Sequence, residues 1–324
     1  NTQDAYKIWL SEIILQQTRV SQGLPYYLAF EEHFPTVNHL AQADEQKILR
    51  LWQGLGYYSR ARNLHHTAKI VVSNYKASFP QTYNELLKLK GIGSYTAAAI
   101  ASFSSNEPVA VVDGNVFRIL ARIFDVTLDI AQNSSKKYFQ ELAESLMDKS
   151  HPALFNQAMM EFGALQCVPK NPDCTNCVFN DRCVALKNKK VSELPVKSKK
   201  TQIKKRYFNY ILAQDENDAI LIEKRVHKDI WKNLYQLPLI ETEAPINENE
   251  AIHLIGKKWK LTESDVVTYF SGYDVVHKLS HQELHVKFFK LQLTSKIDKT
   301  VSGQDLKTYP FPIVLHNFLE KVVS

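Results

Sequence analysis

The chain has 324 residues, with 40 Lys+Arg against 34 Asp+Glu, 11 His and four Cys. At about 150 residues per domain this length accommodates two domains, each large enough to bury its own core. A composition of 44% hydrophobic, 23% charged and 11% aromatic residues excludes a disordered or fibrous protein. No apolar run reaches the length of a membrane span and no charged-then-apolar leader is visible, so the expectation is a cytoplasmic protein with no membrane contact.

In chain order, residues 5–20, 37–52, 60–74, 81–90, 94–104, 115–124, 134–149 and 152–165 carry apolar residues at a spacing near 3.6, which predicts helices. Turn signals separate them at Gly23 and Pro25, Pro35, Gly54 and Gly56, Pro80, Gly91 and Gly93, Pro108, Asp113-Gly114 and Pro152. Residues 187–206 hold nine basic residues against one acid, Glu193, with Pro195 and little apolar content, and read as an exposed basic linker. Beyond Arg206 the period changes to two, with β-branched runs at 207–214, 219–225, 285–293 and the ends of 258–270. The expected organisation is an all-α region over 1–186, the linker over 187–206 and an α+β domain over 207–324.

Four features carry chemistry. Cys167, Cys174, Cys177 and Cys183 fall within 17 residues as C-x6-C-x2-C-x5-C. Clustered thiols in a large chain without a leader point to a reducing compartment rather than to disulfides. The set suits a tetrahedral zinc or a four-iron four-sulfur cluster. Zinc favours two tight pairs and only Cys174 and Cys177 form one, so the spacing leans to iron–sulfur. Lys170, Arg182 and Lys187 flank the loop and give it charge for a phosphate backbone.

The second feature is residues 86–103, where Gly91 and Gly93 make a tight turn between two helices. Backbone amides at the start of the following helix can hold a phosphate without spending a side chain. The segment resembles the helix-hairpin-helix of DNA-binding proteins. In the third, residues 107–122, an apolar run delivers Asp113 to a turn before Asn115, a preferred helix N-cap. Asp113 lies 20 residues past Gly93 and 18 past Tyr95. The fourth is Glu12, mid-helix beside Ile8, Trp9 and Leu15. A carboxyl on an apolar stripe is desolvated and its pKa raised, which suits a general acid.

The interval from hairpin to Asp113 resembles the HhH-GPD superfamily of base-excision glycosylases, in which an Asp at this point stabilises the sugar cation. Bifunctional members carry a Schiff-base Lys 18 residues before that Asp; Tyr95 stands there, which implies a monofunctional enzyme without lyase activity. With Glu12 and the cysteines added, the chain resembles the adenine DNA glycosylases of the MutY type over essentially its whole length. The resemblance implies an all-α catalytic region with a helix-hairpin-helix and one 4Fe-4S cluster on the four cysteines, then a Nudix-like α+β domain. It gives Glu12 the role of general acid and Asp113 that of sugar stabiliser, with Asn115 and Tyr95 as their hydrogen-bonding partners.

The same resemblance implies that Gln17 and Tyr57 enter the base stack as wedges, that Gln157 reads the adenine edge, and that Leu15, Gly91 and Gly93 contact adenine or DNA. In the C-terminal half, residues 231–239 and 275–289 resemble the 8-oxoguanine-sensing domain. Ser280 and His281 carry over, while Leu279 replaces the family's usual Phe. No acidic Nudix helix follows Pro238, so pyrophosphohydrolase activity is not expected. The implied partner is duplex DNA containing 8-oxoguanine:adenine or guanine:adenine mispairs, met by a monomer that is nucleoid-associated if bacterial. The family also carries a pocket-lining segment upstream of the position of Asn1. Two other readings stand beside this one: a non-catalytic iron–sulfur damage sensor and an endonuclease III-like lyase.

Overall fold

The structure, a computed structural model, describes residues 2–198 and 202–323. The chain forms two compact units, Asn1–Gln42 with Asn63–Lys200, and Ala43–Arg62 with Thr201–Ser324. The first half is helical: α1 (Ala5–Leu15), α2 (Val20–His33), α3 (Val37–Gln42), α4 (Glu45–Leu51), α5 (Ser59–Tyr75), α6 (Tyr83–Leu86), α7 (Ser94–Ser105), α8 (Gly114–Ile123), α9 (Asn133–Leu146), α10 (Pro152–Leu165) and α11 (Val184–Lys187).

Several of these depart from the periodicity. The helix expected over 5–20 stops at Leu15, and α2 occupies a stretch that Gly23 and Pro25 mark as a turn. Gly23 is there for close packing, because a Cβ on it would lie 2.7 Å from Leu15 Cδ2. Pro25 costs α2 one backbone hydrogen bond. The helix expected over 37–52 breaks before Asp44, whose side chain caps α4 through the Gln46 amide at 3.1 Å. The chain changes units at that break.

As a result, residues 43–62 do not share a unit with the rest of the helical region. Asn233 donates to Glu45 at 2.6 Å, Arg50 to the Lys307 carbonyl at 2.8 Å and Arg62 to the Lys232 carbonyl at 2.8 Å. The basic stretch 187–206 is not a free tether either. Leu194 is 3% exposed in a core with Ala185, Leu120 and Phe139, and the Ile130 amide donates to the Val196 carbonyl at 3.0 Å. At its other end residues 204–206 already belong to a strand. Lys199 and Lys200 lie outside the described residues.

The second unit is built on β1 (Lys204–Gln214), β2 (Ile220–Leu221), β3 (Glu223–Lys224), β4 (Tyr235–Gln236), β5 (Leu239–Thr242), α12 (Glu248–Trp259), β6 (Val266–Tyr269), β7 (Val275–Lys278), β8 (Gln282–Gln292), β9 (Thr300–Val301) and α13 (Ile313–Val322). The run expected over 219–225 is split in two, and Trp259, expected in a strand, ends α12 instead. β1 runs parallel to β8 in register from Lys204 opposite Gln282 to Gln214 opposite Gln292. β5 pairs antiparallel with β1, and β6 and β7 with β8. Alternation along β1 and β8 sends Ile211, Ala213, Phe289 and Leu291 against Ala251 and Ile255 of α12. On the other face Phe288 stacks on Phe318 of α13, with ring centroids 3.8 Å apart. Among the described residues no helix is long and apolar enough to cross a membrane.

Candidate active site

α1 begins where the Asp4 carboxylate accepts the Tyr6 amide at 2.9 Å, and it buries Trp9, Leu10, Ile13 and Ile14. Glu12 is left half-buried at the rim of that core. Gln16, one turn on, ties the helix end to α7 by donating to Thr96 Oγ1 at 3.1 Å. α7 starts just after Gly93 and carries Tyr95 in its first turn. Glu12, Leu15, Gln17, Gly93, Tyr95 and Asp113 line one cleft of about 500 Å³.

Burial pushes the Glu12 carboxyl above its ordinary range; a hydrogen bond from Tyr95 pulls the other way, and the Asp113 charge adds to the rise. Burial together with the Glu12 charge pushes the Tyr95 phenol strongly upward, which keeps it a donor. Its hydroxyl also lies 3.9 Å from Met160 Sδ.

Asp113 caps α8. Its Oδ1 accepts the amides of Asn115 and Val116, both at 2.8 Å, and its Oδ2 accepts Asn115 Nδ2 at 2.8 Å. The capping role and the role expected from the resemblance are therefore compatible, because the N-terminal dipole and three donors fix the carboxylate facing the cleft. Asn115 sits behind it and is held in turn by Arg118, whose Nη2 donates to Asn115 Oδ1 at 2.9 Å. Arg118 also donates to the carbonyls of Gly163 at 2.6 Å and Cys167 at 2.7 Å. One turn later Arg122 donates to the carbonyls of Val168, Pro169 and Leu194 at 2.8, 3.0 and 3.1 Å. Sequence reasoning missed both arginines. The signal was two cations four apart on an otherwise apolar helix; they are 7% and 2% exposed.

A third missed residue is Asn156, 1% exposed on α10. It accepts the Val111 amide at 2.9 Å and donates to the Val109 carbonyl at 2.9 Å, so it fixes the extended run leading to Asp113. Its neighbour Gln157 is exposed, donates to Glu161 at 2.6 Å and does not line the cleft.

The four cysteines ring one apolar hollow with Arg122, Phe162 and Phe179. Arg122 Nη1 lies 3.4 Å from Cys167 Sγ and the Phe179 amide 3.4 Å from Cys177 Sγ, donors placed as a thiolate set needs. Among the described residues no three such side chains close on a single-ion site. The four thiols share one hollow, and the donor set and its N–H partners suit an iron–sulfur group.

In the hairpin, Gly91 has φ +82°, and a Cβ there would lie 2.8 Å from Asn63 Cβ, so only glycine fits. No side chain caps α7 at Gly93, and Gly91, Gly93 and Ser94 are exposed, which leaves amides open to an anion. Gln17 and Tyr57 share a feature the sequence did not reveal: both are exposed and hold left-handed backbone, with φ 55° and 48°. Such strain in non-glycine residues persists where the surroundings enforce it. At Tyr57 the ring is backed by the Arg60 guanidinium at 5.7 Å, which also lies 5.1 Å from Trp52. In the second unit Ser280 and His281 form the exposed two-residue turn between β7 and β8, closed by the Leu279 amide on the Gln282 carbonyl at 2.8 Å.

Residues 10–147 match the HhH-GPD superfamily of base excision DNA repair proteins and residues 209–321 match the NUDIX domain. An adenine DNA glycosylase of Buchnera aphidicola subsp. Baizongia pistaciae is 36% identical over 307 residues, covering 91% of this chain and 83% of that one. The adenine DNA glycosylase of Buchnera aphidicola subsp. Schizaphis graminum is 38% identical over 314 residues, covering 93% and 86%. Among solved structures, a thermostable thymine-DNA glycosylase superposes with a TM-score of 0.54 at 27% identity, over 58% of this chain and 87% of that one.

Proposed function

The chain belongs to the adenine DNA glycosylases of the HhH-GPD base excision repair superfamily, and from that premise we propose that it removes adenine mispaired with 8-oxoguanine or guanine in duplex DNA. It is a glycosylase with a helical HhH-GPD region and a Nudix-like C-terminal domain. The observation that carries the reading is the placement of Glu12, Tyr95 and Asp113 on one cleft, with Tyr95 hydrogen-bonded to Glu12 and burial pushing the Glu12 carboxyl upward.

Adenine is a poor anionic leaving group. Glu12, protonated, gives its proton to N7 of the extrahelical base. The C1′–N9 bond then breaks with its electron pair going to N9, and neutral adenine departs. Positive charge developing on the sugar faces the Asp113 carboxylate, which Asn115 and two backbone amides hold in place. Water adds to C1′, its proton returns to the Glu12 carboxylate, and an abasic site remains. This division of labour between two carboxyls is that of glycoside hydrolysis. Tyr95 offers no amine, so no Schiff base forms and the backbone stays intact.

Extrusion of the base costs a few kcal/mol of unstacking. Gln17 and Tyr57 act as the wedges, and the amides at Gly91 and Gly93 grip a phosphate. Leu15 on the cleft wall contacts the adenine, and Gln157, which is hydrogen-bonded to Glu161 in the free enzyme, reads the adenine edge only after leaving that bond. Cys167, Cys174, Cys177 and Cys183 hold a 4Fe-4S cluster, which when bound supplies a rigid clip for the loop 167–183. Ser280 and His281 meet the N7–H and O8 that distinguish 8-oxoguanine from guanine. The enzyme works as a monomer on cytoplasmic DNA.

The test is a single-turnover assay on a duplex with adenine opposite 8-oxoguanine, half of each sample being treated with alkali. Breaks only after alkali are expected. Breaks without alkali would overturn the monofunctional assignment, and no breaks in either half would overturn the excision reading.

A further inference from the structure

We infer that Arg206 is the positioning residue of the Ser280–His281 turn and thereby sets how strongly excision depends on the base opposite adenine; the specificity half rests on the reading proposed above.

β7 is four residues long and pairs with β8, so its turn lies at the sheet margin. What steadies the turn comes from β1. The register places Lys204 opposite Gln282, and the Lys204 amide donates to the His281 carbonyl at 3.1 Å. Two residues further, the Arg206 side chain is 11% exposed and held by two carboxylates at once. Its Nε and Nη2 reach both oxygens of Glu241 at 2.7 Å, and its Nη1 and Nη2 reach both oxygens of Asp229 at 2.9 Å. The remaining Nη1 donor goes to Gln282 Oε1 at 3.1 Å, the first residue after the turn. All five guanidinium donors are thus committed, and the plane rests 4.7 Å over the Phe208 ring. Arg225 shares Asp229 at 2.7 Å, so two cations balance two anions.

The chemistry requires arginine. A lysine is a point charge on a flexible stem and cannot hold two bidentate carboxylates and an amide oxygen in one plane. Glu241 on β5 and Asp229 before Trp231 fix the guanidinium; the guanidinium fixes Gln282; Gln282 fixes where the turn leaves the sheet. The Ser280 and His281 side chains meet each other, Oγ to Nδ1 at 3.0 Å, and the backbone of the turn is tied to β1 through the His281 carbonyl, so their placement depends on this frame.

The experiment uses the full chain with its cluster and the substitutions Arg206→Lys and Gln282→Leu. Gln282→Leu cuts only the last contact and keeps the test alive if Arg206→Lys fails to fold. Amide exchange over residues 278–283 reports position without reference to DNA. Both variants are expected to exchange about tenfold faster there. Each should also lower the ratio of excision opposite 8-oxoguanine to excision opposite guanine by about tenfold, short of the roughly hundredfold that a 1 Å misplacement can cost. Unchanged exchange and ratio in both variants would overturn the inference. Faster exchange with an unchanged ratio would overturn its specificity half, and Ser280→Ala with His281→Ala then locates the fault. If those also leave the ratio unchanged, the reading of the turn as the 8-oxoguanine sensor has failed; if they lower it, only the role of Arg206 has.

Discussion

Replacing Gly163 by alanine measures how tightly the Asp113 turn is wedged. A methyl group there would lie 2.6 Å from Asn115 Cβ, 3.0 Å from Ile119 Cδ1 and 3.2 Å from the Asn115 carbonyl carbon. Non-bonded carbons rest about 3.5–4.0 Å apart, so α10 or the Asn115 turn must retreat by about 1 Å. Two of the three atoms belong to the backbone and Cβ of Asn115 and cannot swing aside. At an open helical position the same substitution would stabilise by about 0.5–1 kcal/mol. Overpacking costs about 1–3 kcal/mol and outweighs that gain, leaving a net loss of about 1–2 kcal/mol. The kinetic effect should be larger, because Asn115 positions Asp113 at 2.8 Å and a 1 Å misplacement costs about a hundredfold in rate. Thermal melting and single-turnover excision read the two effects separately. A G163A protein that melts higher and excises as fast as the parent would refute the reasoning.

Further outcomes follow from the same geometry. Glu12 must be protonated to act and its pKa lies above the ordinary carboxyl range, so single-turnover rate should fall as pH rises through that raised value. Tyr95→Phe removes the hydrogen bond that holds the pKa down, and a rate–pH profile should show this limb moving to higher pH; a downward move would contradict the assignment. A raised folded-state pKa also means that the stability linked to protonated Glu12 is present at acid pH and lost as pH rises through that value. Arg118→Met strands the carbonyls of Gly163 and Cys167 at about 1–3 kcal/mol each and frees Asn115, so both melting temperature and rate should drop, and an unchanged rate would show that Asn115 needs no anchor. Iron and acid-labile sulfide analysis should return about four of each per chain, with loss of both in Cys174→Ala; stoichiometric zinc instead would overturn the cluster assignment.

How much of this was legible in the sequence depends on the range of the forces involved. Asp113 could be placed at a helix start because cap chemistry is local, and Glu12 on an apolar stripe because helical spacing is local. α2 was hidden by Gly23 and Pro25, since a glycine chosen for close approach to Leu15 looks like one chosen for a turn. Arg118 and Arg122 were passed over because charged residues are ordinarily exposed, and most of their partners lie 45 to 72 residues away along the chain. The same reason hides the membership of residues 43–62 in the second unit, where Asn233 meets Glu45 across 188 residues. A basic run also conceals one buried leucine, Leu194, that anchors it. The left-handed backbone at Gln17 and Tyr57 has no composition signal at all.

The most direct test of the two-carboxyl account is Glu12→Gln on a duplex with adenine opposite 8-oxoguanine, with excision rate and binding measured on the same preparation. Glutamine keeps the shape and removes the transferable proton, so the rate should fall by about 10²–10⁴ while duplex affinity is retained. A variant that still excises adenine within about threefold of the parent rate, a difference of only about 0.6 kcal/mol, would contradict the account.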